Sequence, residues 1–198
     1  MTDILSDTDY SQQTFNALSY TDSLIERTAF YDCRFEKCTF NDVRFVACRF
    51  YDCVFKDCDL SLSTVRDCAF SETTFEQSKL VGINWAEMSQ DTLIQKPLNF
   101  SQCALNYSTF IGLSLKGIRI IECTAWDVDF SDVDLTEADC KKTDFSESHF
   151  RHSDLTRADF TDAKNYAIDP EINTLVGAKF SLPEAINILR HMDIELIE

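Results

Sequence analysis

Large apolar residues recur at every fifth position along this chain, a spacing that suits neither an α-helix nor a straight strand. All sixteen Phe fall at residue numbers divisible by five, from Phe15 to Phe180. From residue 15 to residue 85 every such position is large and apolar, with Tyr20, Ile25, Leu60, Val65, Leu80 and Trp85 standing among the Phe. The series resumes from Phe100 to Phe160, with Ala125 and Cys140 as its small members. In a helix, five residues at about 100° each turn by roughly 500°, so the series would spiral around every side. In a straight strand an odd step sends alternate members to opposite faces. A chain that bends at a corner every five residues resets the alternation. Each large side chain then points inward.

A second series supports this geometry. Two residues before the large one stand mostly small residues, such as Thr28, Cys33, Cys38, Cys48, Ser63, Thr73, Ser108, Ala138 and Ser153. A separation of two places both on one face of a short strand. Most units therefore send one small and one large side chain inward and leave three positions outside. Gly82, Gly112 and Gly117 all fall two residues after the large position, where a corner suits them.

Stretches such as "DCRFEKCTFNDVRFVACRFYDCVFKDCDLS" and "SDVDLTEADCKKTDFSESHFRHSDLTRADFTDA" resemble the pentapeptide-repeat family, with its alanine-(aspartate/asparagine)-leucine-x-x consensus. The resemblance spans about residues 10–165 and implies an all-β fold, a right-handed quadrilateral β-helix of four units per coil. Fifteen units before the break and thirteen after it make 28, or seven coils. At a strand spacing of ~4.8 Å the rod is then roughly 34 Å long. Residues twenty apart stack in columns, each coil covering the next.

The expected organisation is a lead-in over 1–14, a β-helix over 15–165 interrupted at 86–98, and a cap and dimerisation segment over 166–198. The interruption, "AEMSQDTLIQKPL", keeps the count of five and reads as a loop or short helix replacing two units of one coil. It is either a tolerated insertion or a partner-contacting loop. At the C-terminus, Ser181-Leu182-Pro183-Glu184 reads as a capping box with Pro inside the first turn of a short helix. Ala185, Ile186, Leu189 and Met192 make an apolar stripe, and "DIELIE" reads as a short strand. These elements either cap the rod or also join two copies end to end through Ile186, Leu189, Met192, Ile194 and Leu196. The family resemblance favours the dimer.

The formal charge is −16, from 34 acidic and 18 basic residues, which repels nucleic acid and anionic membranes and attracts basic partners. No apolar run approaches the length of a membrane span, and Met1 to Tyr10 is acidic and polar rather than signal-like. Nine Cys without an export signal point to the reducing cytoplasm. Eight of them occupy the small inward slot, and Cys140 a large one. Their closest spacing puts neighbours on different sides of a coil, so neither disulfides nor a metal site is expected. His149, His152 and His191 form no catalytic pattern, and a coil filled by its own rings leaves no cleft. The expectation is a non-enzyme without cofactor.

Acidic residues occupy the slot two after the large residue fourteen times. Asp also recurs just before it, where the family consensus prefers Asp for structural reasons. The first group is expected to be the less constrained. Asp32, Asp52 and Glu72 are twenty apart and share a column, beside Tyr31 and Tyr51, while Asp132 is a further candidate. Stacked carboxylates repel one another, so the column is either a solvated face or a docking surface for a basic partner. Duplex DNA carries one negative charge per ~1.7 Å, and an acidic rod can enter a basic DNA groove by shape and charge.

Within the family, "CDLSLSTV", "LVGINW", "KNYAIDPEIN" and "FSLPEAINILRHMDIEL" resemble the topoisomerase-protecting branch. That branch includes the quinolone-resistance (Qnr), microcin-immunity and albicidin-resistance proteins. The resemblance implies a homodimeric DNA mimic that binds DNA gyrase, or topoisomerase IV, and spares it from a poison. Long loops matter for protection in the Qnr group, and this chain has only the 86–98 break.

Overall fold

The computed structural model describes residues 4–89 and 97–189. Strands of three residues or fewer alternate with corners, and every strand pair is parallel. Thr14–Asn16, Arg34–Glu36, Val54–Lys56, Thr74–Glu76, Asn99–Ser101 and Arg119–Ile121 form one six-stranded sheet along one side. The other sides carry the equivalent ladders, giving a four-sided solenoid of about eight turns.

Its corners explain the period. Apart from Asn165, every non-glycine residue with positive φ lies two after a large position, as do the four positive-φ glycines. One left-handed residue per unit bends the chain, and its N–H pairs with the next coil, as Asp32 N–H does with Tyr51 C=O at 2.9 Å. In many corners the turn also closes on itself, as where Ile118 N–H donates to Leu115 C=O at 2.9 Å.

The large residues meet along the axis. Phe15, Phe35, Phe55 and Phe75 stack with centroids 5.0, 4.4 and 4.9 Å apart. Neighbouring columns meet edge to face, as Phe30 and Phe35 do at 5.2 Å and 73°. Both geometries satisfy the ring quadrupole. The small inward residues do more than fill space. Their side chains donate to the carbonyl of a large residue on the preceding coil, as Thr73 Oγ1 does to Phe50 at 3.0 Å. Cys48 and Cys53 donate in the same way to Ile25 and Phe30, at 3.3 and 3.4 Å. A thiol here is a weak hydroxyl substitute.

Three boundaries differ from the sequence reading. Phe75 pairs with Phe100 and Lys79 with Ala104, a step of twenty-five rather than twenty. The break therefore replaces one side of a coil and adds five residues, instead of replacing two sides. Paired strands also reach beyond 15–165 at both ends, from Asp9–Ser11 to Lys179–Phe180. The sheet that begins at Phe15 ends at Phe180 after eight steps, not seven coils. At about 4.8 Å each, the rod is roughly 38 Å long.

The short helix Ile186–Leu189 is present, but Ser181 and Glu184 do not act as a capping box. Ser181 Oγ accepts from Asp162 N–H at 2.7 Å, and Glu184 Oε2 from Asn165 N–H at 3.4 Å. Both side chains tie the cap to the last coil, because that coil's corner donors lie within reach.

Candidate docking surface

The acidic residues divide by what the backbone asks of them. Just before the large residue, Asp59, Asp129, Asp134, Asp144, Asp154 and Asp159 each accept through Oδ1 from the N–H two residues on, at 2.9–3.1 Å. These are Asx turns that brace corners. Two after the large residue, the acids are more constrained than the sequence implied. Thirteen of the fourteen have positive φ, a region where Asp is favoured over most residues. Glu87 is the exception, lying in the turn Trp85–Glu87. The excess of Asp in this slot is thus partly conformational.

Glutamates are not favoured there, so Glu72, Glu122, Glu137 and Glu147 carry more information. Two of them are neutralised across coils. Lys142 Nζ lies 3.1 Å from Glu122, and Arg157 Nη2 lies 2.6 Å from Glu137. Gln102 and Lys142 lower the Glu122 pKa, and Arg157 that of Glu137. Such exposed pairs add little stability. They do cancel charge locally.

Asp32, Asp52 and Glu72 share one column. The three sit at successive corners with φ of 52°, 54° and 51°, all exposed. Asp32 N–H donates to Tyr51 C=O and Asp52 N–H to Ser71 C=O, both at 2.9 Å, which fixes the stacking. Beside them Tyr31 and Tyr51 stack at 5.4 Å and 22°, forming a rigid aromatic step along the acidic edge. Asp132 is not part of this group. It sits at the other edge of the same side, further along the rod, where its N–H donates to Arg151 C=O.

The C-terminal end exposes apolar surface. Val176 and Leu182 are 70% and 79% exposed, and Ile172, Ile186 and Leu189 are also open. Met192, Ile194 and Leu196 lie outside the described residues.

All nine Cys are free and buried, and among the described residues no three His, Cys, Asp or Glu group as a metal site would. Burial pushes the Cys53 thiol up to about 12, so it stays protonated. No helix among the described residues is long and apolar enough to cross a membrane.

One carboxylate near the C-terminal end gives the fold a pH dependence. Burial opposes ionisation of Asp159, but the Thr161 hydroxyl and N–H, Lys179 and Lys141 outweigh it and hold its pKa down to about 2. A depressed carboxyl stabilises the fold above its unfolded pKa of about 4 and loses that contribution as pH falls through the folded value. Acid unfolding between roughly pH 4 and 2 should therefore be shallower in Asp159→Asn than in the parent. Urea melts at a series of pH values will measure this, and identical slopes would remove Asp159 from the account.

Sequence reasoning passed over three exposed residues. Leu62, Tyr107 and Trp126 are 62%, 51% and 44% exposed. Large apolar residues in outward slots of the repeat were the available signal.

Residues 28–94 match the family profile described as "Pentapeptide repeat region", and residues 129–164 match "Pentapeptide repeats (8 copies)". Among solved structures, a trypsin-treated form of QnrB1, a plasmid-mediated fluoroquinolone resistance protein, superposes with a TM-score of 0.58 at 18% identity, covering 92% of this chain and 100% of that one. Full-length QnrB1 gives 0.51 at 19% identity, covering 91% and 100%. At such identities the likeness is one of fold. No curated protein sequence matches the chain.

Proposed function

Because the chain belongs to the pentapeptide-repeat family, whose coils fill their own interior and leave only the outer surface for recognition, we propose that it is a DNA-mimicking protector of DNA gyrase. In this reading it occupies the basic DNA groove of gyrase, or of the related topoisomerase IV, and spares the enzyme from a poison. The observation that carries the reading is a narrow four-sided rod with a net charge of −16 and an edge where exposed carboxylates stack at successive corners. The fold shared with a fluoroquinolone resistance protein supports the same assignment.

Dimensions agree with a duplex mimic. One rod of roughly 38 Å spans about eleven base pairs at ~3.4 Å each. Two copies joined through the exposed apolar C-terminal end would span about twice that, the length over which a groove could hold a duplex. The homodimer is part of the proposal, with Ile186 and Leu189 at its interface and Met192, Ile194 and Leu196 following them in sequence.

The test is a gyrase supercoiling assay with purified protein. Supercoiling blocked by albicidin or a quinolone should return as the protein is added. If no poison is relieved while a pull-down recovers a different basic protein, the chain is an acidic scaffold for that partner instead.

A further inference from the structure

A ridge on the diagonally opposite edge of the rod is built differently from the acidic column. Its corner residues run Asp22, which lies 3.6 Å from Arg44, then Asp42, Leu62, Gly82, Tyr107, Asp127 and Glu147. Their order is fixed by the ladder in which Leu62 N–H donates to Val81 C=O, Gly82 to Asn106 and Tyr107 to Trp126, at 2.8–2.9 Å. The ridge is apolar in the middle and acidic at both ends. Trp126 lies against Tyr107 with centroids 5.0 Å apart at 61°. Leu62 leans over Gly82, where an added Cβ would meet its Cδ2 at 2.9 Å. Among the described residues, no ion pair involves Asp42, Asp127 or Glu147.

Two independent arguments say that the fold itself does not ask for these apolar residues. Leu62 and Tyr107 have φ of 62° and 61°, a backbone region costly for bulky side chains and suited to Asp or Gly. Both are more than half exposed, so burial within the chain does not offset that cost. Rigid aromatic pairs of this kind lose little entropy on contact and serve well as binding anchors. An apolar centre between unpaired carboxylates is complementary to a partner with an apolar socket flanked by Lys or Arg.

We infer that the Leu62–Tyr107–Trp126 ridge is a docking anchor for a basic protein surface with such a socket. The inference rests on the gyrase reading and refines it. A groove that closes around the rod as around a duplex reaches both diagonal edges. DNA phosphates supply charge only, so this ridge gives the partner a way to distinguish this rod from DNA.

The test uses the double variant Leu62→Asp/Tyr107→Asp on the full chain, with DNA gyrase as the probe. Aspartate suits the left-handed corner, so the melting temperature should be held or raised, which separates binding from folding. The variant carries two more negative charges than the parent. A partner that reads charge alone would bind it at least as tightly. The ridge predicts the opposite, a loss of about tenfold or more in affinity, retained at raised salt where electrostatic contributions fade. Equal or tighter binding by the variant overturns the inference and leaves the gyrase reading intact. Failure of the parent to bind gyrase overturns both.

Discussion

Phe55→Ala should destabilise the protein by about 3–5 kcal/mol, the usual cost of deleting a fully buried aromatic ring. Phe55 is 1% exposed and sits in the middle of the longest ring stack, 4.4 Å from Phe35 and 4.9 Å from Phe75. It also meets Phe50 edge to face at 5.6 Å. Coils of a solenoid are held only by their neighbours, so the void weakens two interfaces at once. Against a typical domain stability of about 5–15 kcal/mol, the loss is a large fraction of the whole. Phe180 provides the comparison. It is only partly buried and stacks on Phe160 alone in its column, at 5.3 Å. Phe180→Ala should cost less than half as much. Urea melts of both variants decide the matter, and equal losses would mean that the central stack is not the main source of stability.

The second large effect concerns binding. Replacing Asp32, Asp52 and Glu72 with Lys reverses the acidic edge and takes the formal charge from −16 to −10, two units per substitution. Lys37 and Lys142 already occupy equivalent corners with φ of 52° and 56°, so the backbone accepts the change. The β-sheet spectrum should therefore be unaltered. Affinity for gyrase should fall by about tenfold or more at low salt, mainly through slower association, because like charges then meet in the groove. Surface plasmon resonance at two salt concentrations measures both rates. Binding that survives the reversal would show that this edge is not the docking face.

The period of five made the fold and the core legible, because burial repeats with the backbone and leaves its mark in Phe. It could not show how the break is accommodated. A count of five survives either choice at residues 86–98, whereas stacking depends on a count of twenty. The step from Phe75 to Phe100 is therefore visible only in three dimensions. The acidic slot was legible as a pattern but misjudged in cause, since φ at Asp32 or Asp52 is not written in the sequence. Ser181 and Glu184 matched a local motif that lost to donors from Asp162 and Asn165, nineteen residues away in sequence. Tyr107 and Trp126 were missed for a simpler reason. A reading tuned to charge passed over apolar residues that faced outward.

The coil of twenty-five residues has an evolutionary consequence. Five extra residues were absorbed within one coil while Phe75 and Phe100 kept their partnership, and the ladder through them runs on from Phe55 to Ile120. Interactions that reach only to the adjacent layer let a lineage lengthen or shorten such a molecule by whole layers without redesigning the rest. Its extent is then a heritable gauge, adjustable in increments of about 4.8 Å to the reach of whatever cavity it must fit.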